Sequence, residues 1–228
     1  MDTHIYTSTY GIAGPTGPAV LVAARVDDVL LASQKLGELR HEELSGGSHS
    51  RRRSSAQMNR RPFDFALDRW PTRQKVLEVV RTLPFDAAVW FARDNASNAT
   101  SGHPYWYSHI ALLAMKWTAV YSKLTFCARD EGERTNISAA LDAFPETNQI
   151  REKTPIEIGG RFEPCSVIPD YVAGIVHDAL VQAPNAKAAF AHYSDVADRI
   201  STVSDLDRGI LYSQGSFGVE LERRIGKQ

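Results

Sequence analysis

Apolar runs typical of strands and segments of helical periodicity alternate along this chain. Residues 19–26 are almost continuously apolar and rich in β-branched side chains, which is typical of a strand that is buried on both faces. Residues 87–92 and 123–128 repeat the pattern, and residues 4–9 alternate in the manner of a short strand. Residues 71–83 begin with a proline and carry apolar side chains at helical spacing, which predicts a helix.

The order of these elements predicts the architecture. Two or three strands joined by tight turns come first, and residues 29–39 fit either a helix or the next hairpin. From residue 71 onward, helices and strands alternate, beginning and ending with a helix, and there are four helices in this part. An antiparallel meander that is followed by alternating helices and strands gives a mixed sheet with helices on both faces. We therefore predict an α/β domain over residues 1–182 and a C-terminal helical extension over residues 183–228 that packs on it. The remaining elements are expected as helices at 104–121, 136–144 and 171–181 and a strand at 156–158.

Composition and charge narrow the class of protein. The chain has 228 residues, of which 43% are hydrophobic and 23% charged, as in ordinary globular proteins. The net charge of −1 gives no overall attraction to nucleic acid or to an anionic membrane, so any electrostatic role depends on local clusters. No secretory leader or run of about 20 apolar residues is evident, so we expect a cytoplasmic protein in which Cys127 and Cys165 are reduced thiols.

One segment is strongly basic. Residues 45–61 contain no acidic residue and mix serine and glycine with five arginines, which predicts a loop. Two interpretations stay open: a solvated linker, or an arm that contacts the phosphates of a nucleic acid. The arginines are Arg51, Arg52, Arg53, Arg60 and Arg61.

Three aspartates follow or begin predicted elements. Asp94 and Asp130 each stand just past an apolar strand and after an arginine, and Asp170 stands at the start of a helix. Because ligands gather at the carboxyl ends of strands in such sheets, these carboxylates could converge and bind Mg²⁺ or Mn²⁺, ions that can activate water against a phosphodiester. The alternatives are that Asp170 caps its helix and that the other two begin turns or pair with the neighbouring arginines.

The aromatic residues give a weaker signal. Tyr105, Trp106, Tyr107 and Trp117 could stack on bases, but on an apolar helix they are better explained as core residues. No phosphate loop, nucleophile elbow or dinucleotide fingerprint is present, so a small-molecule enzyme has no motif behind it.

Three segments resemble a microbial and phage family that is catalogued as a domain of unknown function. Residues 166–174, which read SVIPDYVAG, are similar to its closing motif LQLADYVAG. Residues 124–130 are similar to its middle strand, which ends in an aspartate, and residues 38–44 to its glutamate-bearing segment. The resemblance implies a ribonuclease H-like fold and a metal-dependent nuclease. It also implies that Asp130 and Asp170 are catalytic ligands, with a third from Glu42 or Glu43, of which we select Glu43.

The opening motif departs from that family. Where its members carry YIDESG, this chain reads IYTSTYG, with Ser8 at the place of the aspartate. A hydroxyl is a neutral, weak ligand and cannot bridge two divalent ions as a carboxylate does. The first hypothesis is therefore a nucleic-acid-engaging protein with Mg²⁺- or Mn²⁺-dependent phosphodiesterase activity in a partly degenerate site. The second is an inactive binding or scaffold subunit of a phage-defence or mobile-element complex.

Overall fold

The structure is a computed structural model, and it describes nine stretches of the chain. These are residues 2–11, 17–45, 63–93, 106–109, 123–128, 131–143, 156–159, 164–181 and 186–225. Within them the strands are β1 (Asp2–Tyr10), β2 (Ala19–Val26), β3 (Phe85–Ala92), β4 (Lys123–Cys127), β5 (Ile156–Gly159), β6 (Ile200–Asp205) and β7 (Ile210–Ser213). The α-helices are α1 (Val29–Ser45), α2 (Trp70–Val80), α3 (Glu131–Asp142), α4 (Val167–Leu180), α5 (Ala186–Val196) and α6 (Ser216–Ile225), with short 3₁₀ helices at Pro164–Ser166 and Ala197–Arg199.

The described strands form one sheet in the order β5-β4-β1-β2-β3-β6-β7. Strands β1, β2 and β3 form an antiparallel meander, with Ser8 of β1 opposite Val22 of β2. Strand β4 is parallel to β1, and β5 is parallel to β4. Strand β6 is parallel to β3, and β7 turns back antiparallel to β6. The predicted mixed α/β architecture is confirmed, and β1 lies near the centre of the sheet.

Each face of the sheet has its own hydrophobic core. Because successive strand residues point to opposite faces, Ile5 and Tyr6 of β1 belong to different cores. The larger core lies on the face with Tyr6 and contains buried residues of α1, α2, α4, α5 and α6. The smaller core lies on the face with Ile5 and includes Trp106, Tyr107 and residues of α3. Trp106 and Tyr107 are 1% and 2% exposed, which confirms that these two aromatic residues are core residues.

Several local predictions are confirmed, and others change. The helix expected over residues 71–83 is α2, and the ambiguous segment after β2 is the helix α1. Helix α4 begins at Val167, so Asp170 lies in its first turn and the interpretation of Asp170 as an N-cap is wrong. The proline at position 169 misled this prediction, because the first turn of a helix tolerates proline. Of the helix expected at 104–121, residues 106–109 are described and are helical.

The C-terminal part contributes strands as well as helices. Helices alone were predicted there, but β6 and β7 extend the sheet beyond β3. Strand β6 reads ISTVSD, in which polar residues alternate too irregularly to indicate a strand. Tyr193 and Phe217 of this part are buried in the larger core. The division after residue 182 stays a prediction. Among the described residues, no helix is long and apolar enough to cross a membrane.

Candidate functional site

The side chains of Ser8 and Asp170 meet at the centre of the sheet. Ser8 is on β1 and is 2% exposed, and its hydroxyl donates a hydrogen bond to Asp170 Oδ1 at 3.1 Å. The backbone N–H of Phe65 donates to the other carboxylate oxygen, Oδ2, at 2.8 Å. Both oxygens of Asp170 therefore accept hydrogen bonds from within the chain, and hydrogen bonds to an ionised acceptor are stronger than neutral ones.

Phe65 belongs to a turn of residues 64–69, called the Phe65 turn below. Asp64 closes this turn on itself, since its backbone N–H donates to Asp68 Oδ2 at 2.8 Å and its Oδ1 accepts from Ala66 N at 3.1 Å. An aspartate that binds backbone N–H groups two and three residues ahead stabilises a turn in this way. The Tyr171 hydroxyl donates to the same Asp68 Oδ2 at 2.6 Å. Burial and the Asp68 carboxylate raise the pKa of Tyr171, which therefore stays a donor.

The ring of Phe65 packs on a glycine of the same helix. A Cβ at Gly174 would lie 2.0 Å from the Phe65 ring carbon Cδ1, closer than any real contact. Helix α4 therefore binds the Phe65 turn through three residues within about one helical turn: Asp170 accepts from a backbone N–H, Tyr171 donates to a carboxylate, and Gly174 leaves space for the ring. These residues lie in the segment that resembles the family's closing motif. In this chain the motif attaches a turn to the first two turns of α4.

A basic and aromatic group lies beside the turn. The guanidinium carbon of Arg73 is 4.2 Å from the centre of the Phe65 ring, and Arg73 Nη1 is 3.9 Å from Asp178 Oδ2. The ring of Tyr10, at the end of β1, is 4.5 Å from that of His177. Burial raises the pKa of Tyr10, and the Asp178 carboxylate raises it further.

A second carboxylate lies on the opposite face of β1. Glu133, in the first turn of α3, is 3% exposed, and its Oε1 accepts hydrogen bonds from Thr7 Oγ1 at 3.4 Å and from Tyr107 at 3.3 Å. Thr7 and Ser8 are neighbours on β1, so they point to opposite faces. Glu133 and Asp170 are therefore separated by the sheet. Glu133 was not predicted, because the helix was expected to begin only at residue 136 and a charged side chain ahead of it is usually exposed.

The predicted site residues have different outcomes. Asp170 lies at the centre of the sheet, as described. Glu43 lies near the end of α1, where its carboxylate accepts hydrogen bonds from Lys75 Nζ at 2.6 Å and from Thr72 Oγ1 at 3.2 Å. The expected ligands Asp94 and Asp130 and the basic residues Arg51, Arg52, Arg53, Arg60 and Arg61 lie outside the described residues.

The described part of the chain does not provide a set of ligands for a divalent metal ion. It contains no group of three or more histidine, cysteine, aspartate or glutamate residues that could hold one. Within the described residues, Asp170 accepts hydrogen bonds from a neutral hydroxyl and a backbone N–H, whereas Mg²⁺ and Mn²⁺ require several oxygen ligands around the ion. The Glu43 carboxylate is paired with Lys75.

Sequence reasoning missed the Phe65 turn. Its signals were present, since Asp64 and Asp68 stand four residues apart ahead of a helix that has proline near its start. The tyrosine and glycine after Asp170 also carried a signal, because both contact this turn.

Comparison with known proteins finds similarity only among solved structures. No family model and no curated protein matches the sequence. The chain is similar to the RNase HII of Archaeoglobus fulgidus, solved in a complex with PCNA, at 12% identity and a TM-score of 0.39 over 83% of this chain and 78% of that chain. A variant of Bst-RNase HIII is 13% identical, with a TM-score of 0.36 over 85% and 68%. The ribonuclease H2 of Pyrococcus horikoshii OT3 is 10% identical, with a TM-score of 0.32 over 99% and 100%.

The order and directions of the first five strands decide the fold. An antiparallel β1-β2-β3 meander with β4 and β5 added in parallel beside β1 gives the order 5-4-1-2-3. The fold is ribonuclease H-like. The predicted fold class is confirmed in this ribonuclease H-like sheet, and β6 and β7 extend it at the far edge.

Proposed function

We propose that this ribonuclease H-like protein binds nucleic acid and does not cleave it, with the Ser8–Asp170 pair in place of a metal centre. The observation that carries the proposal is that both carboxylate oxygens of Asp170 accept hydrogen bonds from the chain itself. Each of these donors takes one lone-pair site of its oxygen, and the side chain that Asp170 meets across β1 is the neutral hydroxyl of Ser8, which cannot share a divalent ion as a second carboxylate would.

The chain that leads into the Phe65 turn supports a role in binding nucleic acid. Arg60 and Arg61 precede Phe65 by only a few residues in the sequence. Helix α4 fixes the turn through Asp170 and Tyr171. Two of the predicted phosphate-contacting arginines, Arg60 and Arg61, are therefore close in sequence to a turn that contacts the site at the centre of the sheet.

Binding and cleavage are tested on the full chain with labelled single-stranded and duplex DNA and RNA. Fluorescence anisotropy measures binding in EDTA and in Mn²⁺, and denaturing gels measure cleavage. We expect binding without metal, steep salt dependence and intact oligonucleotides. Replacing Arg51, Arg52 and Arg53 with alanine is expected to weaken binding and to reduce the salt slope, because each lost phosphate contact changes the slope by about one.

Two sets of variants serve as controls. Alanine at Arg81, Arg134 and Arg223, which are exposed and lie on other elements, removes the same charge and is expected to leave binding unchanged. In Asp170→Asn, the amide can accept from Phe65 N–H and donate to the Ser8 hydroxyl, so we expect the fold to be retained while the negative charge that a metal ion would require is removed. Mn²⁺-dependent cleavage that disappears in Asp170→Asn would show a nuclease instead. A wild-type protein that binds none of these nucleic acids contradicts the proposal.

A further inference from the structure

We infer that Trp70 is a stacking platform for one base of a single-stranded nucleic acid, with Arg69 beside it to contact a phosphate; this inference rests on the proposed function. Trp70 is the first residue of α2 and directly follows the Phe65 turn. Its side chain is 37% exposed, whereas Trp90 and Trp106 are 9% and 1% exposed. A large aromatic ring with this much exposed surface can accept a further stacking partner.

The ring of Trp70 is held in place from one side. It contacts the ring of His192 on α5, with ring centres 5.3 Å apart and planes 60° apart. His192 in turn has its Nδ1 3.8 Å from Asp195 Oδ2. Leu67, three residues earlier, is 48% exposed and adds apolar surface. A supported, exposed ring loses little conformational freedom when a base stacks on it, so this arrangement favours stacking.

The residue before Trp70 supplies a positive charge for a phosphate. Arg69 is exposed, and no carboxylate lies within ion-pair distance of it in the part of the chain that the structure describes. The first turn of α2 contains no acidic residue. The two aspartates of the Phe65 turn direct their carboxylates to the turn itself and to Tyr171. An exposed aromatic ring whose neighbour in the chain is an exposed arginine without a carboxylate partner suits a nucleotide, which presents a flat base and a phosphate together.

The exposed face of Trp70 suits single-stranded nucleic acid better than a duplex. A base in a duplex has both of its faces covered by its neighbours, so it cannot stack on a side chain without leaving the helix, and that costs a few kcal/mol. Bases of a single strand are free to stack on protein rings, and this stacking tolerates any sequence. We therefore expect that Trp70 contributes to the binding of single strands and not to the binding of duplexes.

The test compares Trp70→Ala, Trp70→Phe and wild type in anisotropy titrations with a single-stranded oligonucleotide and with the same backbone lacking bases. Loss of one stacked base weakens binding about 5- to 150-fold, so this is the change expected for Trp70→Ala, with a smaller loss for Trp70→Phe. The abasic strand is expected to bind the wild type and Trp70→Ala equally. Leu30→Ala, at an apolar residue that is 84% exposed on α1, is the matched control and is expected to bind as the wild type does.

Tryptophan fluorescence provides a second measurement. A stacked base quenches an exposed indole, so the single strand is expected to quench the wild-type signal and to quench Trp70→Phe much less. If single strands bind within twofold of wild type in Trp70→Ala while the Arg51, Arg52 and Arg53 variant is impaired, the stacking inference is wrong and the proposed function stands. If no nucleic acid binds the wild type, both are overturned. Equal losses for single-stranded, abasic and duplex probes would place Trp70 in a role other than base stacking.

Discussion

The ring of Phe65 occupies the space where any side chain at position 174 would stand, with the ring carbon Cδ1 only 2.0 Å from the place of a Cβ on Gly174. This contact couples a turn that precedes α2 to the second turn of α4, although the two are more than one hundred residues apart in the chain. The same turn is held by Asp170 and Tyr171. The contacts with α4 therefore hold the Phe65 turn beside the Ser8–Asp170 pair at the centre of the sheet.

The first prediction concerns this glycine. Gly174→Ala is expected to lower the free energy of unfolding by about 1–3 kcal/mol, because the added methyl group displaces a fully packed ring. Gly37→Ala is the matched control: Gly37 lies within α1 and has no atom within 4 Å of its Cβ position, so the better helix propensity of alanine is expected to stabilise the protein by up to about 1 kcal/mol. Urea unfolding measures both. Equal effects of the two substitutions would argue against the packing described here.

The second prediction concerns the hydroxyl of Tyr171. Tyr171→Phe removes the donor to Asp68 and leaves a carboxylate oxygen with one donor fewer in a part-buried place, so a loss of about 1.5–3 kcal/mol is expected. Tyr212→Phe serves as the control, since the Tyr212 ring packs on Phe217 but its hydroxyl makes no hydrogen bond within the described chain. Thermal or urea unfolding of both variants checks the difference. A loss in Tyr212→Phe as large as that in Tyr171→Phe would contradict this assignment.

The third prediction concerns the far end of the sheet. Arg93 Nη2 lies 3.0 Å from Asp205 Oδ2, and the Asp205 side chain is fully buried while that of Arg93 is 23% exposed. Asp205→Ala strands a partly buried guanidinium, and we expect a loss of about 2–3 kcal/mol, somewhat below the cost for a fully buried pair. Glu131→Ala removes the carboxylate of an exposed pair with Arg134 and is expected to change stability little. Denaturant unfolding that ranks the two variants in the opposite order would refute this.

The fourth prediction concerns pH. Burial lowers the pKa of His109, whose ring stacks on that of Trp90 at 5.9 Å. The unfolded chain therefore binds a proton more readily than the folded protein at this position. The contribution of neutral His109 to the free energy of unfolding is complete above the usual histidine pKa of about 6.5. This contribution is lost as the pH falls through the lower pKa that His109 has in the folded state. His109→Phe keeps an aromatic ring and removes this dependence.

The measurement is the difference in unfolding free energy between His109→Phe and the wild type from pH 8 to pH 5. We expect the difference to be constant at high pH and to move in favour of the variant below about pH 6.5. A constant difference over the whole range would show that His109 does not titrate with unfolding. Other groups titrate in both proteins and cancel in this difference.

The sequence by itself determined the alternation of elements. Continuous apolar runs indicated β2 and β3, helical spacing indicated α2, and the order of these elements gave a mixed sheet with helices on both faces. These features depend on local patterns, which require no knowledge of distant partners. The sequence also singled out Asp170 and the serine at position 8, which the structure places 3.1 Å apart.

Tertiary structure alone decided what Asp170 contacts. Whether a carboxylate binds an ion or a backbone N–H depends on which groups lie within about 3 Å of it, and here one of them comes from Phe65, over one hundred residues away. The same holds for Glu133 and Asp205, whose burial depends on side chains from distant elements. Strand β6 was missed for a related reason. Its polar sequence forms a strand because the edge of β3 offers backbone groups that need hydrogen-bond partners. Local periodicity in the sequence does not show hydrogen bonds to a neighbouring strand.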